Sequence, residues 1–248
     1  MENYHNNFKE GLKDGIPIAL GYFSVSITIG IAAINAGLPT WSAVLMSISN
    51  LTSAGQVEGI AVIAALGSYF ELALTQLTIN LRYFLMSLTV SQKMDDRVSI
   101  PQRLIISFAI TDEIFAVSSA KIGNLGTLYM LGLMALPILG WTAGTALGAL
   151  AGTLLPDFIR SALGIAVYGM FLAIIIPPAR KERSVLYAVL IAIVLSCAMT
   201  YIPGLNQISS GFAVIICAVL ASAFCAWRFP IKTEENNFNI NNKGEQAK

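Results

Sequence analysis

Five or more apolar runs of about 18 to 25 residues punctuate this chain, and runs of that length admit few folds. A helix rises 1.5 Å per residue, so each run can cross roughly 30 Å of hydrocarbon while closing its backbone hydrogen bonds internally, as lipid requires. Composition points the same way. Of 248 residues, 56% are hydrophobic and 12% charged, with a mean hydropathy of +0.70, too little polar surface for a water-soluble fold. The expected class is all-α: a polytopic membrane helix bundle. Net charge is +1, and no basic stripe interleaves with aromatics, so nucleic acid is set aside as a partner. Cys197, Cys217 and Cys225 lie in apolar runs without CxxC spacing. They read as small buried hydrophobes, with no disulfide framework or metal site implied.

The opening MENYHNNFKEGLKDG lacks the charged start, short apolar core and A-x-A site of a cleavable signal, so the first apolar run is expected to be retained. From residue 229 the chain is polar and Asn-rich, which predicts a disordered tail. The expected organisation is a polar N-terminal segment at 1–11, a transmembrane domain at 12–228 and a tail at 229–248.

Within that domain the apolar runs differ in purity. Residues 16–36 form a clear first span, opened by Pro17 where a missing N–H costs nothing. The stretch 41–66 is interrupted by SISNLTSAGQVEG, residues 47–59, with seven hydroxyl, amide or carboxyl side chains and two glycines in thirteen positions. Irregular backbone at membrane depth is tolerated where it is buried or lines a cavity, and half-helices meeting at such a break commonly hold the substrate of a transporter. A broken or re-entrant segment is therefore predicted, with Asn50 or Ser53 capping a half-helix.

Residues 67–90 can span, yet Glu71, Thr75, Thr78 and Arg82 fall on one helical face with Gln76 and Asn80 close by. After the hydrophilic loop SQKMDDRVSIPQR, residues 104–120 carry TDE and are marginal for a crossing. Clean spans are expected at 128–151, 159–177, 185–202 and 211–227, and small residues in GWTAGTALGALAG (140–152) permit close helix packing. Lys and Arg in the loops at 91–103 and 178–184 and in the tail share one side if 41–66 and 104–120 enter and leave on the same face. Six full spans and two re-entrant segments result, with both termini cytoplasmic.

Ionised groups near mid-bilayer cost about 2.5–3.5 kcal/mol and normally face protein or water. Asp112 and Glu113 are adjacent, so they need a cation, a shared proton or water. Either they hold a proton or a substrate ammonium, or they are structural, pairing with Arg82 or capping a helix after Thr111. Arg82 could grip a substrate carboxylate or neutralise a group on another helix, since Glu71 is three turns away along its own. Glu71 joins Asp112 and Glu113 as a candidate for proton coupling. Glu58 is either functional or placed near the external interface. Gly55 and Gln56 at the first break offer a half-helix N-terminus for a carboxylate, or mark an ordinary kink. Trp41, Trp141, Tyr201 and Trp227 read as interfacial anchors. With His5 alone in the tail, no zinc pair, Ser–His dyad or Walker loop is present. No enzyme, cofactor or metal is implied.

The motifs GIP at 15–17, AGQ at 54–56, INLRYFL at 79–85 and TDEIFA at 111–116 together resemble the AzlC family of membrane permeases, over about residues 8–200. By similarity, Ala54, Gly55 and Gln56 match the family's break, Asn80, Leu81 and Arg82 its NLR, and Thr111, Asp112 and Glu113 its TDE. The resemblance implies a secondary transporter in the bacterial inner membrane that exports branched-chain amino acids, driven by the proton gradient, with a small AzlD-type membrane subunit as partner. Substrate would then bind at Ala54, Gly55, Gln56, Asn80, Arg82, Asp112 and Glu113. Departures surround that site: SVSITIG (24–30) stands where the family carries Pro-Phe-Gly, Val57 replaces an aromatic, Leu85-Met86 replaces Leu-Tyr, and Glu58 is additional. The rival expectation is a non-transporting scaffold or regulatory subunit whose buried charges pair with a partner protein and reach no cavity.

Overall fold

A computed structural model describes residues 4–154, 156, 158, 169, 171–172 and 175–229. The span expected at 159–177 falls largely outside them, as does the tail from residue 230. The described chain is almost wholly helical: α1 (Phe8–Asn35), α2 (Thr40–Ser49), α3 (Ser53–Ala64), α4 (Tyr69–Lys93), α5 (Ile100–Ser107), α6 (Asp112–Ala120), α7 (Thr127–Leu154), α8 (Arg183–Tyr201) and α9 (Ser210–Arg228). Two-residue strands, β1 (Tyr4–His5) and β2 (Asn124–Leu125), pair in parallel. Among the described residues, α1, α7, α8 and α9 are the four helices long and apolar enough to cross a membrane. The 25 residues of α4 are also long enough, at about 37 Å, but its polar stripe lowers its hydropathy.

Both interrupted stretches break as the sequence predicts. At 10 and 12 residues, α2 and α3 are about 15 and 18 Å long, half of a bilayer core. The chain turns extended at Asn50, and α3 restarts behind Thr52, whose side chain accepts from Gly55 N at 3.3 Å. The cap is thus Thr52, lying between the Asn50 and Ser53 offered by sequence. Every polar side chain in NLTS has capping chemistry, and the path of the chain chooses among them. The second break has the same construction. α5 ends at Ser107, and Thr111 caps α6 by accepting from Ile114 N at 3.4 Å.

The chain forms two compact units, one of Met1–Ile174 with Ser209–Ile215, the other of Ile175–Ile208 with Ile216–Lys248. In the first, α1 and α7 pack along their lengths, and the half-helices α2, α3, α5 and α6 lie against them or against α4. Lipid tails are as apolar as leucine, so this pairing is driven by van der Waals packing and close backbone approach. Gly30 on α1 shows how close: a Cβ there would strike the Thr145 carbonyl oxygen and come within 2.6 Å of Ala149 N. Around this seam Ile29, Ala33, Tyr129, Met130, Leu133 and Trp141 are buried. Trp141 is therefore a core residue, since its indole finds a buried acceptor in Gln56, while Trp41, Tyr201 and Trp227 are exposed as anchors should be.

α1 begins at Phe8, well ahead of the apolar run, because Asn7 caps Lys9 N at 3.0 Å. Its polar first turns are held by Lys121, whose Nζ lies 2.8 Å from both Glu10 Oε1 and Asp14 Oδ2. His5 adds bonds to Glu10 and to the Ile122 carbonyl, both at 3.1 Å. Hydrogen bonds to Asp14 and Glu10 raise the Lys121 pKa above the ordinary lysine value. In the second unit, α8 has no buried residue among those described, and Tyr187 stacks on Phe229 with ring centroids 5.4 Å apart. Cys217 and Cys225 are buried, whereas Cys197, on α8, is exposed among the described residues.

Candidate functional site

The two helix breaks meet. Ser49–Thr52 from the first and Ser107, Phe108 and Ile110 from the second line one cavity of about 190 Å³, completed by Asn80 and Tyr83 of α4. That space admits several waters. Its wall is mixed: hydroxyls and amides of Ser49, Asn50, Thr52, Asn80 and Tyr83 face the apolar Leu51, Phe108 and Ile110. Asn80 Oδ1 is buried with no hydrogen-bond partner among the described residues, although its Nδ2 donates to Gln76 Oε1 at 3.1 Å. An unspent acceptor beside a cavity is the kind of group a ligand ammonium or a water satisfies.

Among the described residues no charged side chain lines the cavity itself; Arg82, Asp112 and Glu113 stand behind its wall, Arg82 through its bond to Tyr83. Arg82 Nη1 lies 2.9 Å from Asp112 Oδ2, joining α4 to the first turn of α6. Both side chains remain partly exposed, at 45% and 41%, so neither is sealed into the fold. Arg82 Nη2 also donates to the Tyr83 hydroxyl at 2.9 Å, and the guanidinium lies over that ring. Glu113, next along, meets Tyr22 of α1. The Tyr22 hydroxyl sits 2.5 Å from Glu113 Oε2 and 2.5 Å from Thr111 Oγ1. Asp112 and Glu113 also occupy the first turn of α6, where a helix N-terminus favours negative charge. The pairing and the capping readings thus hold together, with Thr111 as the capping side chain.

Asn80, Arg82, Asp112 and Glu113 are accordingly brought together, and Ala54 and Gly55 stand at the start of α3, close by. A Cβ on Gly55 would come within 2.7 Å of Gln76 Oε1 and 3.2 Å of Asn80 Nδ2. The Gly55 carbonyl accepts from Gln76 Nε2 at 2.7 Å. Gln56 points the other way. It is fully buried, with Oε1 accepting from Trp141 Nε1 at 3.0 Å and Nε2 donating to Ser47 Oγ at 2.6 Å. Ser47 in turn donates to Thr145 Oγ1 at 2.7 Å. This relay ties the half-helices to α7 and leaves Gln56 as a residue that positions the break.

Glu71 is also placed apart, at the first turn of α4, where its Oε1 accepts from Ser209 Oγ and from Gly211 N at the start of α9. Tyr22 and Tyr83 were not selected from sequence. A tyrosine in an apolar run carries no local signal, and only the fold places these two hydroxyls beside Glu113 and Arg82.

Two broken helix pairs closing on a cavity of mixed polar and apolar wall, within a set of long apolar helices, define a polytopic membrane protein with a space between half-helices. The AzlC protein family matches residues 17–155, and the chain belongs to that family. The chain is 31% identical over 172 residues to an uncharacterized membrane protein of Archaeoglobus fulgidus, covering 68% of this chain and 75% of the relative. It is 27% identical over 184 residues to the inner membrane protein YgaZ of Escherichia coli (strain K12), covering 71% and 75%. No solved structure matches. Multi-pass membrane residence follows from both the relatives and the helices.

Proposed function

We propose that this chain is a secondary transporter that exports branched-chain amino acids in exchange for protons, from a bacterial inner membrane with both termini cytoplasmic. The observation that supports this most is the convergence of both helix breaks and the Asn80–Tyr83 turn of α4 on one cavity, with the Arg82–Asp112 pair next to the lining Tyr83. Each zwitterion group has a counterpart there. The start of α3 at Ala54 and Gly55, with Arg82, suits the carboxylate through the positive end of the helix dipole and a planar fork. Asp112, Glu113 and the free Asn80 Oδ1 suit the ammonium. Leu51, Phe108 and Ile110 suit a short aliphatic side chain, which cannot be held by hydrogen bonds and needs an apolar wall.

A substrate arriving between Arg82 and Asp112 exchanges their mutual contact for contacts to itself. Pairing within the protein keeps both charges compensated when the site is empty, which limits the cost of carrying them in lipid. The cavity also counts against a pure scaffold, whose charges would be met across a subunit interface with no space beside them. A small AzlD-type membrane subunit is proposed as partner. Efflux of labelled valine, leucine and isoleucine from proteoliposomes, with and without that subunit and a pH gradient, tests the proposal. Rates equal to those of protein-free vesicles under all four conditions would reject it.

A further inference from the structure

Glu71, in the first turn of α4, is only 5% exposed, and no lysine, arginine or histidine pairs with it among the described residues. A carboxyl so placed costs free energy as an anion unless hydrogen bonds and dipoles compensate it. Here they do so from two helices. Ser209 Oγ and Gly211 N both donate to Oε1, the latter at 3.1 Å, so a carboxylate from the first turn of α4 caps the first turn of α9. Both turns present the positive end of a helix dipole.

The approach is close enough to require glycine. A Cβ on Gly211 would lie 2.6 Å from Glu71 Oε1 and 2.8 Å from Thr75 Oγ1, so these two oxygens converge on one point at the start of α9. Thr75, one turn beyond Glu71, is 0% exposed, and its hydroxyl has no hydrogen-bond partner among the described residues. Ionised Glu71 has no proton to offer that hydroxyl. The protonated form carries the matching donor.

Partial charges hold an anion less firmly than a full cation does, and Asp112, with Arg82 at 2.9 Å, shows the contrast. A proton can therefore compete with the two α9 donors for Oε1. Ser209 is exposed, which gives water a short path to the carboxylate. α4 and α9 both begin on the side opposite their basic ends, at Lys93 and Arg228, which is the outer face in the orientation proposed above. Few other ionisable groups stand nearby. α3, packed on α4, carries Glu58 as its one ionisable side chain, and the first turn of α9 carries none. On the other neighbours of α4, Arg103 of α5 is bonded to the Val98 and Asp95 carbonyls, while Asp112 and Glu113 of α6 are engaged by Arg82 and Tyr22.

We propose that Glu71 is a proton-binding site, separate from the amino acid cavity, whose occupancy unlatches the start of α9 from α4 at the outer face. The proton comes from the outer water and returns to it. One O–H bond forms on Oε1 and donates to Thr75 Oγ1, and the bonds from Ser209 and Gly211 lose the charge that strengthens them. Deprotonation restores the tie. Acid outside thus loosens the outer end of α4, and neutral medium fastens it. This goes beyond the transport reading and takes only the orientation from it.

Infrared difference spectra of the purified full chain between alkaline and acidic pH, without substrate, read the titration. One component of the protonated-carboxyl C=O band should be missing in Glu71→Gln and moved in frequency in Glu71→Asp, which keeps the test decisive if the glutamine variant does not fold. Thr75→Val removes the acceptor of the protonated form and should lower the midpoint of that component by about one pH unit; Ser209→Ala removes a donor to the ionised form and should raise it by about as much. A band unchanged in Glu71→Gln or Glu71→Asp, or midpoints that stay in place or move the same way, overturns the assignment. The unlatching is read by the distance between spin labels at the exposed positions 69 and 210, with Cys197, Cys217 and Cys225 replaced by alanine. That distance should lengthen on acidification and lose its pH dependence in Glu71→Gln; a distance that ignores pH in the chain with Glu71, or still follows it in Glu71→Gln, also overturns the proposal. If these readouts come out as expected while proteoliposomes move no branched-chain amino acid, the transport reading fails and the proton-operated tie stands.

Discussion

Replacing Gly30 by alanine tests whether the α1–α7 seam is set by backbone contact. In isolation, glycine to alanine within a helix is favourable by about 0.5–1 kcal/mol, because alanine loses less backbone freedom. At Gly30 the added methyl would meet the Thr145 carbonyl oxygen, Ala149 N at 2.6 Å and Gly148 C at 3.0 Å. All three are backbone atoms of α7, so no side chain can rotate away, and overpacking of this kind costs about 1–3 kcal/mol. Gly21, on the same helix, has nothing within 4 Å of the equivalent position. The helix-propensity gain is common to both substitutions. Gly30→Ala should therefore be less stable than Gly21→Ala by the steric term alone, about 1–3 kcal/mol. Equilibrium unfolding in mild detergent, followed by circular dichroism, measures the difference. Equal stability of the two variants would refute the packing argument, and with it the rigid pair against which the half-helices are set.

Exchanging the partners of the flanking ion pair gives a functional counterpart. Arg82→Asp and Asp112→Arg should each abolish efflux of labelled leucine, and the double variant should recover part of it, since the 2.9 Å pairing can be remade in reverse; a double variant no better than either single one would show that the pairing is incidental. Trp141→Phe strands the buried Gln56 Oε1 without its donor and should cost about 1–3 kcal/mol. Much of that loss should vanish in the background of Gln56→Leu, and full additivity would contradict a direct bond. Lys121→Met should destabilise the start of α1. Because the folded state raises the Lys121 pKa, its contribution is complete below the unfolded value, about 10.4, and is lost as pH rises through the folded one. The stability gap to the unaltered protein should hold from neutral pH to about 10 and narrow above it, and it should also narrow in strong acid, where Glu10 and Asp14 lose the charges that Lys121 pairs with; a gap that persists undiminished into strong alkali would reject the lysine as its source.

Local chemistry made the half-helices legible before any coordinates. Seven polar side chains in residues 47–59 cannot belong to a continuous lipid-facing helix, and TDE cannot lie in the middle of one, so both breaks follow from the cost of burial. The partner of Arg82 followed only in outline. Helix geometry excluded Glu71 three turns away, but choosing Asp112 requires knowing that α4 packs on α6. Gln56 misleads for a related reason. Beside a glycine at a break it has the chemistry of a ligand-binding amide, and only the approach of Trp141 and Ser47 shows that its amide oxygen and nitrogen each already have a partner within the fold. Trp141 illustrates the converse, since a tryptophan near a glycine-rich span end looks like an anchor until a buried acceptor appears 85 positions away. The cap at Thr52, the early start of α1 at Asn7 and the tie between Glu71 and the start of α9 are likewise products of chain path, which sequence spacing does not encode.

The central claim is that the space between the two breaks is where the amino acid binds. In a background with Cys197, Cys217 and Cys225 replaced by alanine, a cysteine at Ser107, on the cavity wall, should react with a small maleimide. Saturating leucine should slow that reaction, while a cysteine at the exposed Leu66 should be labelled equally with and without leucine. Leucine protection at position 107 is the predicted result; labelling there that ignores leucine, in protein that still transports it, would contradict the account.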